Sequence, residues 1–161
     1  MLSVLKPGVM EYELEAELAG EFLRGRPQMA YEPIIGSAKN ACALHYLKND
    51  AECRSGEFVL IDASASSANY CADLIRTYPV SNTFTARQRA LYEAVLPVLS
   101  SSIARAVVGT SLRDRKRDAQ AEIAQEVVGS GLIKTEAAAQ DTPDEPVCKK
   151  YFMHGLGHSL R

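Results

Sequence analysis

Between residues 9 and 24 an apolar side chain returns every fourth position. Met10, Leu14, Leu18 and Phe22 line one face, with Glu11, Glu13, Glu15 and Glu17 interleaved. That spacing predicts an amphipathic helix. Pro7-Gly8 precedes it, acid crowds its first turns, and Arg24 and Gly25 close it, the charge order that a helix dipole favours. The pattern then changes. Residues 29–46, MAYEPIIGSAKNACALHY, read as extended chain broken by Pro33 and Gly36. FVLID (58–62) is apolar on both faces, as a buried central strand would be. The polar run SASSAN (64–69) reads as a loop leading to a second extended run, YCADLIRTYPV (70–80).

Helical periodicity resumes after Ser81–Thr85. Thr85 stands three residues before Gln88, a capping-box spacing, and Leu91, Val95, Leu99 and Ile103 form the expected buried stripe. Pro97 within that stripe predicts a kink or a local break. A more polar helix is expected over 111–128, with Leu112, Ala119, Ile123 and Val127 inward. Residues 134–147 form a polar loop, and YFMHGLGHSL then opens another strand region. Helices and strands come in blocks with hairpin-like connections. The expected class is α+β with an antiparallel sheet, in preference to a doubly wound parallel fold.

Composition narrows the functional classes. A chain of 161 residues, 47% hydrophobic and 24% charged, suits one domain with a real core. A net charge of −2 and a pI near 5.9 give no electrostatic reason to expect nucleic acid or a membrane surface as partner. No apolar run approaches the roughly 20 residues of a membrane span. The start, MLSVLKPG, lacks the parts of a signal peptide. Cys42, Cys53, Cys71 and Cys148 include no CxxC pair, so reduced thiols and a cytoplasmic home are expected.

Candidate chemistry gathers at two places. If 58–62 and 70–78 form a hairpin turning between Ser67 and Ala68, Asp62 stands directly opposite Asp73. Opposed carboxylates repel, and in an apolar sheet they call for a cation or a shared proton. The plainer alternative is that Asp62 merely ends a strand and Asp73 pairs with Arg76. Downstream, His154 and His158 bracket Gly155-Leu156-Gly157. The two glycines disfavour a helix, but residues four apart also share a face of a strand, and glycine lets backbone or ligand approach. His45, in CALHY, reads on its own as a histidine at a strand end.

Taken in order, GSAKNACALHY, VLIDAS…YCADLIRTYPV and FMHGLGH closely resemble the Xaa-Pro aminopeptidases (aminopeptidase P and prolidase) of the pita-bread metallopeptidases. The likeness runs from EYELEAELAGEF onward. It implies the pita-bread fold, with residues 1–161 as part of a catalytic domain. It implies that Asp62 chelates one metal, that Asp73 bridges two, and that His158 ligates the other. His45 would assist proton transfer or steady the tetrahedral intermediate, and His154 would line the substrate pocket. The implied cofactors are two divalent ions, manganese first, with cobalt, zinc or iron as alternatives. Such ions activate water and polarise the scissile carbonyl. The substrate would be a peptide with proline at its second position, and the full-length family implies a homo-oligomer.

Departures from the family pattern accompany the match. Ser64 stands where glycine is common, and Ile75 where threonine is common. Two further glutamate ligands and another pocket histidine lie, in the family, downstream of HGLGH. The expectation is therefore a truncated chain, weakly active at best. The competing readings are a non-catalytic homologue or binding module that has lost its metals, and a metal-free creatinase-type hydrolase.

Overall fold

A computed structural model describes residues 1–134 and 146–158. The expected polar loop at 134–147 therefore lies largely outside the described residues. The chain divides into two compact units, one of residues 1–85 and one beginning at Ala86.

The first unit is built around a hairpin. Helix α1 (Glu11–Gly25) precedes strands β1 (Gln28–Met29), β2 (Ile34–Ser37), β3 (Phe58–Ala63), β4 (Ala65–Ser67), β5 (Tyr70–Cys71) and β6 (Leu74–Pro79). Among the described residues these strands form two antiparallel sheets, in the orders β2-β3-β6 and β1-β4-β5. FVLID is the central strand of the first, as its two apolar faces required. SASSAN is not simply a loop: β4 and β5 continue the hairpin, and it turns on Ala68 and Asn69. Both turn residues have positive φ, 50° and 64°, the backbone of a two-residue turn that matches strand twist.

That turn corrects the expected register. Asp62 stands across from Ile75, not Asp73, and Ser67 across from Tyr70. The shift is two residues along the partner strand, so side chains keep their faces. The extended reading of 29–46 also needs amendment. After β2 the chain forms a 3-10 segment, Ala38–Cys42, laid against that strand. A Cβ at Gly36 would come within 2.9 Å of the Ala41 nitrogen, which explains why glycine occupies this position.

The core of this unit joins Leu5, Val9, Leu14, Ile35, Cys53, Val59, Ile61 and Val80. Leu14 is the contribution of the predicted α1 stripe, and it is fully buried. The entry to α1 is fixed by pairing of residues 8–11 with 51–53: the Gly8 amide donates to the Cys53 carbonyl, the Cys53 amide to Val9, and the Glu11 amide to Ala51.

The second unit contains α2 (Ala86–Ala104), which begins directly after Thr85, and α3 (Leu112–Gly129). Pro97 does not end α2, which continues seven residues past it. Ser111 caps α3, its hydroxyl accepting the Asp114 amide at 3.1 Å. Ala119, Ile123 and Val127 are buried as expected, but Leu112, in the first turn, is half exposed. The predicted α2 stripe also fails. Val95, Leu99 and Ile103 are exposed, and Val98 is the α2 residue that packs with Ala119, Ile123, Val127, Ile133 and Cys148. The four cysteines form no disulfide. No helix among the described residues is long and apolar enough to cross a membrane.

Candidate functional site

Asp62 ends the run of apolar residues in β3, and Asp73 immediately precedes β6. In the observed register they are diagonal neighbours across the hairpin, close enough for one group to reach both. That group is Tyr31, in the connection between β1 and β2. Its hydroxyl contacts Asp62 Oδ1 and lies 2.8 Å from Asp73 Oδ1. A phenol carries one proton and can fully serve one acceptor at a time. Burial, followed by the hydrogen bonds to Asp62 and Asp73 and their negative charge, pushes the Tyr31 phenol far above its ordinary range. It stays a protonated donor at any physiological pH.

Tyr31 is held from behind by Ser64. The Ala30 and Tyr31 amides donate to Ser64 Oγ at 3.1 and 3.0 Å, and Ser64 is only 3% exposed. The same ladder register runs on both sides of Ser64, which places it across from Asp73. One serine thus ties the tyrosine segment to the hairpin that carries both acids. The hydroxyl that takes these amides is what glycine at this position would lack. Ile75, the other departure from the family pattern, is the residue facing Asp62 across the ladder and is 50% exposed. A threonine there would place its hydroxyl beside Asp62. Arg76, the alternative partner considered for Asp73, donates to the Ile75 carbonyl at 2.7 Å.

His45 does not end a strand. It lies in the turn after the 3-10 segment, exposed, with φ of 55°. Its neighbour Tyr46 donates to Glu11 at 2.8 Å. His154 and His158 belong to the second unit. The residues around them form a 3-10 turn, Val147–Lys150, and irregular chain, with no strand over 151–158. The shared-face argument for the two imidazoles therefore loses its premise. The segment is anchored instead by Phe152 and Leu156, which pack on the α2–α3 core, while His154, Gly155, Gly157 and His158 stay exposed. The His154 ring meets Phe152 edge to face at 4.9 Å, with Nδ1 2.8 Å from the Gly155 carbonyl.

Of the five predicted residues, the structure brings Asp62 and Asp73 together, through Tyr31. Among the described residues no group of three or more His, Cys, Asp and Glu side chains gathers as a metal-binding set. The aspartate pair still fits a hard divalent cation. Two carboxylate oxygens converge on one hydroxyl, and a cation could satisfy both where a single proton cannot. Sequence reasoning missed Tyr31, which lies 31 residues from Asp62 in an irregular segment with no local signature.

The chain has clear relatives among known proteins. The profile of metallopeptidase family M24 matches residues 1–161. The chain is 40% identical to the Xaa-Pro aminopeptidase of Escherichia coli strain K12, over 96% of this chain and 35% of that protein. It is 34% identical to the Xaa-Pro aminopeptidase of Haemophilus influenzae, over 99% of this chain and 37% of that protein. It thus spans about a third of the length of these curated relatives. In structure it resembles zinc-substituted E. coli aminopeptidase P in complex with product, with a TM-score of 0.83 and 35% identity over 96% of this chain and 35% of that one. A variant of the same enzyme in complex with substrate gives the same values. The antiparallel sheets with their helices are those of the pita-bread fold. With a profile match along its whole length, an acid pair built into the central hairpin and this likeness in fold, the chain belongs to metallopeptidase family M24.

Proposed function

We propose that this chain carries part of the site of a metal-dependent aminopeptidase that releases the N-terminal residue from peptides with proline in second place. The convergence of Asp62 and Asp73 on one hydroxyl carries the reading, because it supplies the hard, anionic oxygen pair that a dinuclear centre needs. Asp62 would chelate one ion, Asp73 bridge both, and His158 ligate the other, with manganese as the preferred metal and cobalt or zinc as alternatives. Bound there, the metals supply Lewis acidity toward the scissile carbonyl and toward water.

The chain's own residues do the rest. The Tyr31 hydroxyl holds the Asp62 and Asp73 carboxylates together while no metal occupies their oxygens. His45 donates a proton toward the developing oxyanion or the departing nitrogen, and His154 lines the pocket that receives the peptide. The partners proposed are the peptide substrate and further copies of the chain, in the cytoplasm, with neither nucleic acid nor membrane involved. The relatives named Xaa-Pro aminopeptidase, and the substrate and product complexes of E. coli aminopeptidase P, support this specificity.

The test is release of the first residue from an Xaa-Pro peptide and from an Xaa-Ala control by the purified chain with manganese. Release confined to the proline peptide, and abolished in Asp73→Asn, is expected. No release above the Asp62→Asn/Asp73→Asn background would overturn the reading and favour a non-catalytic member of the family.

A further inference from the structure

We infer that Glu11 is a positioning residue for His45: its buried carboxylate gathers both ends of the loop on which that histidine stands. The inference rests on the reading of His45 as a pocket histidine. In the sequence Glu11 looks like one of several solvated acids in the first turn of α1. It is instead fully buried, 0% exposed. Oε1 accepts from the Ser37 amide at 2.6 Å, the Ser37 hydroxyl at 2.8 Å and Asn40 Nδ2 at 3.2 Å. Oε2 accepts from the Tyr46 hydroxyl at 2.8 Å and the Ala51 amide at 3.0 Å.

These donors are spaced along one stretch of chain. Ser37 ends β2, Asn40 lies in the 3-10 segment, Tyr46 adjoins His45, and Ala51 is where the chain returns to pair with α1. A single side chain therefore fixes where the loop leaves, where it returns, and the residue next to the histidine. Asn40 Nδ2 also donates to the Tyr46 hydroxyl at 2.9 Å, which closes the network on itself. Asn49 is a second anchor near the return, accepting from the Ile35 amide at 3.2 Å and donating to Glu15 at 2.9 Å, but residues 42–45, which include His45, are all exposed. His45 nevertheless holds a left-handed backbone, φ 55°. A non-glycine residue keeps such a conformation where its surroundings over-determine it. Here the surroundings are the Glu11 network on one side and the 3-10 segment pressed on Gly36 on the other.

The chemistry asks for a carboxylate in particular. The Ser37 amide, the Ala51 amide and the Asn40 side-chain NH2 can only donate. Glutamine keeps one acceptor oxygen, but its NH2 group then confronts a donor at one end of the loop. A helix N-terminus also favours the negative charge.

The experiment follows the His45 ring directly. Imidazole Cε1–Hε1 NMR signals are recorded for the chain, for Glu11→Gln and for Tyr46→Phe, with circular dichroism and cooperative melting to confirm folding. Positioning by Glu11 predicts that the His45 signal moves in both variants while those of His154 and His158 stay. It also predicts that amide exchange at Ala51 rises at least about tenfold in Glu11→Gln. An unmoved His45 signal in the folded variants would overturn the inference. Tyr46→Phe leaves the buried carboxylate in place and decides the matter if Glu11→Gln does not fold. Because this readout needs no turnover, a chain that releases no amino acid sinks the peptidase reading and leaves this one separately tested. Where turnover is measurable, both variants lower kcat by at least about tenfold with KM nearly constant; an unchanged kcat would count against the inference.

Discussion

Replacing Tyr31 by Phe removes one oxygen and leaves the ring. The hydroxyl is the group that meets both Asp62 and Asp73, the latter at 2.8 Å. A hydrogen bond to a charged acceptor contributes about 1.5–3 kcal/mol. Both aspartates are half-buried, so solvent weakens the interaction and about 1–2 kcal/mol is the appropriate figure. In the metal-free chain this stabilisation is lost in Tyr31→Phe. A cation that takes the same oxygens must compete with the hydroxyl in the wild type but not in the variant. By linkage, the loss reappears as tighter metal binding, roughly 5–30-fold in dissociation constant. Calorimetric titration of manganese into both proteins at one pH measures it, with urea unfolding of the metal-free forms as the companion experiment. Expected are a lower urea midpoint and a smaller dissociation constant for the variant. A variant that binds manganese more weakly than wild type would refute the competition argument and make the hydroxyl an aid to the metal.

Other consequences are local. Ser64→Ala leaves the Ala30 and Tyr31 amides without their acceptor and should cost about 1–3 kcal/mol in urea unfolding, with loss of the Tyr31 contacts. Ala68→Asn puts a residue that tolerates the left-handed region at φ 50° and should stabilise the hairpin by about 0.5–1 kcal/mol, read as a higher melting temperature. Glu11 gives a pH signature. Burial acts to raise its pKa, but the hydrogen bonds from Ser37, Ala51 and Tyr46 outweigh it, and the folded value lies below the ordinary 4.5. Its stabilisation is therefore complete above pH 4.5 and lost as pH falls through the lower, folded value. Urea midpoints between pH 7 and pH 3 should fall more steeply for wild type than for Glu11→Gln; parallel curves would refute this.

What could be read from the sequence followed from local pattern. FVLID announces a central strand, the i+4 spacing announces α1, and Ala119, Ile123 and Val127 announce the buried face of α3. The acid pair was legible as proximity but not as register. Placing the turn between Ser67 and Ala68 overlooked Asn69, whose tolerance of positive φ favours the Ala68-Asn69 turn, and the pairing shifts by two residues. The α2 stripe misled because periodicity names an apolar face without saying what covers it; Val98, outside the stripe, is the residue that packs. Glu11 and Tyr31 were illegible for a common reason. Each is polar, each is placed by partners more than 25 residues away, and no local spacing encodes such contacts. His154 and His158 were read from their glycines, and the strand assumed beneath them is absent among the described residues.

The central claim is that Asp62 and Asp73 form one cation site. Its most direct test is titration of manganese into wild type, Asp62→Asn and Asp73→Asn, with bound ion followed by electron paramagnetic resonance. The account predicts saturable binding to wild type and at least about a tenfold weaker affinity in each variant, since each removes a ligand together with its charge. Equal affinity in all three proteins would contradict it.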